Sequence, residues 1–186
     1  MESALYEVEQ KYPVENFQQI LVHLEEREIV IGDAVEQHDR YYSHPTRDFG
    51  ATDEALRIRQ VESQSWMTYK GPRVDTSTKT RRELEVDLPS EESTADRYHQ
   101  LLQLLGFQHV GDVIKSRRTA IIPRMDWEVS MALDEVVSLG CFVELEIMSR
   151  VDTLKDAEKV IDQIATELGL FPAERASYLE LLVGEG

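Results

Sequence analysis

With a single cysteine, Cys141, the 186-residue chain has no internal disulfide framework, and its neighbours Phe142 and Val143 point to a buried thiol. Proline (six) and glycine (nine) are too few and too scattered to form a linker or a low-complexity tract. No internal repeat is visible either, so one domain spanning residues 1–186 is the expectation. No apolar run approaches the roughly 20 residues of a membrane helix, which excludes a membrane partner of that kind. The opening MESALYEVEQ lacks the basic start and apolar stretch of a signal peptide, so the expected compartment is the cytoplasm. Basic residues are scarce, 20 against 36 acidic, and the net charge of -16 would repel a nucleic-acid backbone. The five histidines (His23, His38, His44, His99, His109) are scattered without metal-ligand spacing, which argues against a histidine-based zinc site.

The residues that are present describe a soluble globule, 41% hydrophobic and 30% charged. Helical periodicity marks four stretches: about Val14–Glu28, a helix after Pro89-Ser90 ending at Gly106, one from Thr153 stopped by Gly169, and about Pro172–Leu182. Period-two alternation marks eight: about Leu5–Tyr12, Val35–Tyr42, Ala55–Glu62, Ser65–Lys70, Thr80–Leu88, Val110–Ile121, Met125–Leu133 and Cys141–Met148. Ser43–Glu54 and Gly71–Lys79 read as longer connections. Eight strands in hairpin-like succession, with too few helices for βαβ units, predict an antiparallel sheet that closes or nearly closes.

Charge follows the alternation. Glu7, Glu9 and Lys11 share one strand face, Arg57 and Arg59 another, then Arg81, Glu83 and Glu85, Lys115 and Arg117, and Glu144 and Glu146. One solvated face explains any single strand of this kind. The set is harder to explain that way, because like charges at i and i+2 repel and stability does not require them on three strands. Paired carboxylates suit a hard cation such as Mg²⁺ or Mn²⁺, which takes oxygen ligands. Basic pairs suit a chain of phosphates, with arginine giving bidentate contacts. Together they imply a metal that bridges carboxylate and phosphate.

Glu7-x-Glu9-x-Lys11 resembles the opening signature of the CYTH, or triphosphate tunnel metalloenzyme, superfamily. The resemblance continues in order through DRYY (Asp39–Tyr42), ALRIR (Ala55–Arg59), TYKGP (Thr68–Pro72), Arg81-x-Glu83-x-Glu85, Lys115-x-Arg117, LDEV (Leu133–Val136) and FVELE (Phe142–Glu146). It covers roughly residues 5–150 and is closest to the class IV adenylate cyclase-like branch. It implies an α+β fold: a closed or nearly closed eight-stranded antiparallel β-barrel, charged inside, with helices packed outside. It also implies metal carboxylates at Glu7, Glu9, Glu144 and Glu146, with Asp134 a further acidic candidate. The implied triphosphate cradle is Lys11, Arg57, Arg59, Lys70, Arg81, Lys115 and Arg117. Arg118 points outward by parity, and the register of Arg124 is open.

The activity implied by the resemblance is an adenylate cyclase using Mg²⁺ or Mn²⁺: the ATP 3′-hydroxyl attacks the α-phosphorus and pyrophosphate leaves. With no histidine in the motifs, the proton acceptor is a tunnel carboxylate (Glu83 or Glu85), a lysine, Lys11 first among them, or metal-bound hydroxide. The same site with water attacking would hydrolyse thiamine triphosphate, tripolyphosphate or a nucleoside triphosphate. A binding module without turnover is disfavoured, because carboxylates repel the phosphates it would hold. Gly71–Lys79 reads either as a lid or as a surface loop. The apolar stretch Tyr178–Val183 packs either on its own barrel or on a second subunit in a homodimer.

Overall fold

The computed structural model describes residues 5–73 and 81–184. Its strands are β1 (Leu5–Val14), β2 (Val35–Ser43), β3 (Ala55–Val61), β4 (Gln64–Arg73), β5 (Arg81–Asp87), β6 (Gln108–Arg124), β7 (Trp127–Val136) and β8 (Gly140–Arg150). They close into an antiparallel barrel in the order β1-β5-β4-β3-β2-β6-β7-β8, as the alternation predicts. Ten residue pairs, from Leu5↔Arg150 to Val14↔Cys141, join β1 to β8. On its other side β1 meets β5, where the described residues pair Tyr6↔Arg82 and Glu7↔Arg81.

Side-chain alternation then divides inside from outside. Val8, Leu133, Val143, Leu145 and Ile147 point out of the barrel and are buried beneath α1 (Gln18–Glu26) and α4 (Leu154–Glu167), which bring Ile20, Leu24, Ala157, Ile161 and Ile164. A second outer core sets Tyr42, Leu56 and Ile58 against Phe49 of α2 (Phe49–Thr52) and Ala95 and Leu102 of α3 (Thr94–Leu104). The apolar face of the sheet is therefore the outer one, which is why the helices are amphipathic. Arg118 and Arg124 lie on this outer side, donating to the Gly32 carbonyl and to Glu167 of α4.

Two helices depart from the sequence reading. Within the expected Ser43–Glu54 connection, α2 forms because the Asp48 carboxylate accepts from the Ala51 N–H at 3.0 Å. Asp53, in the left-handed region at φ 58°, then ends it. The last helix, α5, runs Tyr178–Gly184 rather than starting at Pro172. Ser177-x-x-Glu180 sets its start: the Glu180 N–H donates to Ser177 Oγ and the Ser177 N–H to Glu180 Oε2, a capping box. Before it, Glu174 bridges to Lys11, its N–H donating to the Lys11 carbonyl at 2.7 Å. The connection read as a lid falls largely on residues 74–80, outside the described residues.

α5 packs on its own barrel. Tyr178 enters the end where β6 and β8 begin, against Val113, Val136 and Phe142, with Leu179, Leu181 and Leu182 alongside. α2 stands at the same end, where β2 finishes and β3 begins.

Candidate active site

The barrel encloses a cavity of about 820 Å³. Glu7, Glu9, Lys11, Arg57, Arg59, Lys70, Arg81, Glu83, Glu85, Lys115, Arg117, Glu144 and Glu146 all line it, drawn from six strands. The parity argument therefore delivers these residues to one space. Asp134 is the exception: it is fully buried and stands behind the cavity wall.

One flank is acidic. Glu7 and Glu9 of β1 and Glu146 of β8 converge until an oxygen of each lies within 4.8 Å of the others. Lys70 Nζ holds both Glu7 oxygens at 2.7 Å and Glu83 Oε2 at 2.7 Å. Burial pushes the Glu7 carboxyl up to about 8, against the pull of Lys70 and with help from Glu9, Glu83 and Glu146. Burial and then Glu9 raise Glu146 likewise. Three carboxylates crowded together in this way form an oxygen-only donor set that fits a hard divalent cation, whose binding would displace the retained proton.

The opposite flank is basic and rests on two buried aspartates. Asp39 of β2 takes a bidentate pair from Arg59, 2.7 Å at each contact, and a longer one from Arg57 at 3.4 Å. Burial would raise Asp39, but Arg57 and Arg59 overcome it and hold the carboxyl well below the usual range. Asp134 receives Lys115 at 3.1 Å, Arg117 Nε at 2.6 Å with a second guanidinium contact, and the Tyr178 hydroxyl at 2.9 Å. With three donors on it, Asp134 is placed to orient cations rather than to reach the oxygen set of Glu7, Glu9 and Glu146. Glu144 accepts from Arg117 and so sits on this basic side of the wall.

Burial and Arg117 lower the proton affinity of Lys115 to about 8. Lys11, 1% exposed, lies deepest, with its ammonium on the Ala176 carbonyl and 4.0 Å from the centre of the Tyr178 ring. The buried Nε atoms of Arg57 and Arg81 have no hydrogen-bond partner. A buried donor left unmade costs about 1–3 kcal/mol, so two in one cavity point to an anionic ligand that completes them. Glu85, mostly exposed, accepts from Thr68 Oγ at 2.9 Å.

Asp39, Tyr178 and Thr68 are the members that the sequence reading leaves without a role. Asp39 lies within the DRYY run and shares the inward parity of Tyr41. As a lone acid, however, it gives no Glu-x-Glu pair to flag it.

Residues 5–178 match the family model of the CYTH domain. A Methanocaldococcus jannaschii protein, provisionally named an adenylate cyclase, is 37% identical over 150 residues, covering 78% of this chain and 80% of its own length. A solved structure from Pyrococcus horikoshii aligns with a TM-score of 0.83 at 37% identity, covering 97% of this chain and 99% of its own. A Hippeastrum protein, provisionally named an adenylyl cyclase and described by its dominant triphosphatase activity, aligns with a TM-score of 0.65, covering 97% of this chain and 96% of its own. At 16% identity that last likeness is one of fold alone.

Proposed function

Because the chain belongs to the CYTH domain family, we propose that it is an adenylate cyclase that takes ATP to cyclic AMP and pyrophosphate inside the barrel. One observation carries the reading: the oxygen set of Glu7, Glu9 and Glu146 shares a single enclosed cavity with the unsatisfied guanidinium donors of Arg57 and Arg81. Carboxylates beside an anion site make sense when a cation joins them.

Glu7, Glu9 and Glu146 would hold Mg²⁺ or Mn²⁺, which when bound supplies positive charge against the reacting phosphoryl oxygens. Arg57, Arg59, Lys115 and Arg117, positioned from behind by Asp39 and Asp134, take the triphosphate together with Arg81 and Lys11. Lys70, shared by Glu7 and Glu83, sits on the acidic flank. The ribose 3′-oxygen forms a bond to the α-phosphorus as the bond from that phosphorus to the bridging oxygen breaks. The 3′-hydroxyl proton passes to a tunnel group, and pyrophosphate leaves with its charge met by the cationic wall. Glu85 is the candidate acceptor, since among the described residues its hydrogen-bond partner is the neutral Thr68 hydroxyl and it opens toward solvent; Glu83 is already engaged by Lys70.

Hydrolysis is the second reading, kept because the Hippeastrum relative of the same fold has a dominant triphosphatase activity. Its substrates would be thiamine triphosphate, inorganic tripolyphosphate or a nucleoside triphosphate, with water as the attacking group. Purified protein with ATP and Mn²⁺ separates the two: cyclic AMP and pyrophosphate identify the cyclase, ADP and orthophosphate the hydrolase. Tight tripolyphosphate binding with no product from any of these substrates, under either metal, would overturn both. Glu9→Gln is expected to abolish metal-dependent turnover while circular dichroism stays that of wild type. Unchanged rates in Glu9→Gln would remove the metal role.

A further inference from the structure

Charged side chains line only part of the cavity. Toward the end where β2 finishes and β3 begins, Val110 of β6 and Leu179 and Val183 of α5 bring methyl groups into the same space as the cationic wall. A chain of phosphates gains nothing from such a surface. Val110 and Val183 are 44% and 57% exposed, so neither is a core residue that merely shows through the wall.

Two irregularities put these side chains there. Counting by alternation from Lys115 and Arg117, Val110 would point out of the barrel. The β2–β6 register skips it between Tyr41↔Gly111 and Tyr42↔His109, and this bulge re-aims Val110 to the cavity mouth. Gly111, the next residue, makes room for α5. A Cβ there would stand 3.0 Å from Leu179 Cδ1, so the missing side chain lets Leu179 lie against the strand. Around the apolar surface the rim is rich in acceptors: Ser43, Asp53 and Glu180 all line the cavity. Carboxylates at a mouth disfavour phosphate oxygens and suit amino groups. This rim also adjoins the cradle, since the Asp53 carbonyl accepts from Arg81 Nη1 at 3.5 Å.

We propose that the mouth between α2 and α5 is the subsite for the nucleobase of the substrate. Val110, Leu179 and Val183 meet the ring, and Ser43, Asp53 and Glu180 face its amino-bearing edge. The cradle takes any triphosphate; this mouth sets which one is preferred. A heteroaromatic base has apolar faces and a polar edge, which is the division the lining offers. The cavity volume of about 820 Å³ falls within the roughly 300–1,000 Å³ of pockets that enclose organic ligands. The assignment rests on the reading of the cavity as a triphosphate site, and it holds whether the attacking group is the ribose hydroxyl or water.

Calorimetry in EDTA, which withholds the metal needed for turnover, tests it with ATP and tripolyphosphate side by side. In the Val110→Ser/Val183→Ser double variant, ATP affinity is expected to fall roughly tenfold while tripolyphosphate affinity stays that of wild type. In Val110→Phe, an added ring for the base to stack on should tighten ATP at least about fivefold, again without effect on tripolyphosphate. No loss of fold can imitate that gain. In wild-type protein, the ring protons of adenine should show nuclear Overhauser contacts to the methyl groups of Val110, Leu179 and Val183. ATP affinity unmoved by both variants, ATP and tripolyphosphate weakened in step, or contacts from adenine to none of these methyl groups would each overturn the subsite and leave the cradle standing. Wild-type protein that binds neither ligand would sink the triphosphate reading, and the subsite with it.

Discussion

Two arginines owe their position to Asp39, which lies behind them and is 2% exposed. Removing one member of a buried charge cluster leaves the others uncompensated, so Asp39→Ala is expected to lower unfolding free energy by roughly 3 kcal/mol. Because a bound polyanion meets the same guanidinium groups, tripolyphosphate should restore much of that stability, which thermal melts with and without it would show. Lys115 and Glu7 share the pH dependence. With its proton affinity lowered to about 8, Lys115 is charged below that pH and neutral above, and phosphate favours the charged form. Metal-free tripolyphosphate affinity should therefore fall as pH rises through about 8. In Lys115→Arg that step should shrink to the part that Glu7, also raised to about 8, contributes as it gains negative charge, because a guanidinium stays charged; calorimetry across pH 7 to 9.5 would test both.

At this scale the sequence was most legible where residues repeat. Glu7/Glu9, Arg57/Arg59 and Lys115/Arg117 announce a shared face by their spacing, and the cavity holds them all. Asp39 and Tyr178 act singly, and a single residue carries no period. Asp134 was visible as an acid, but its three donors come from β6 and α5 and could be identified only after closure.

At the scale of elements, alternation located eight strands because inward charge and outward apolar packing both follow the pleat. The helices were less uniform. α4 reads plainly, since Ala157, Ile161 and Ile164 repeat at helical spacing and Gly169, at φ 66°, stops it. Four residues are too few for any period, so α2 passed as loop. In α5 the proline drew the start too early, although Ser177-x-x-Glu180 stood in the sequence as the stronger signal. Ser177→Ala should cost about 1 kcal/mol through the lost cap. Tyr178→Phe should cost about 1–2 kcal/mol, since it removes the hydroxyl contact to buried Asp134. Denaturant melts of the two variants would measure both effects, and wild-type midpoints would show that α5 does not brace the basic wall.

For the molecule as a whole, closure was foreseeable but strand order was not. Placing β5 between β1 and β4, and β6 beside β2, joins segments far apart in sequence whose pairing is decided by how the sheet closes rather than by local pattern. The net charge of -16 likewise says little about the interior, where seven lysines and arginines line the cavity beside its carboxylates.

Where β1 meets β5, Glu7 stands opposite Arg81 across the joint that closes the cylinder. A carboxylate of the proposed metal site and a guanidinium of the proposed phosphate cradle therefore sit on either edge of this joint. A substrate that couples cation to polyanion would stitch this joint from within, and product departure would let it slacken. Backbone amides of residues 6, 7, 81 and 82 should then exchange with deuterium more slowly when Mg²⁺ and tripolyphosphate are present together than with either alone.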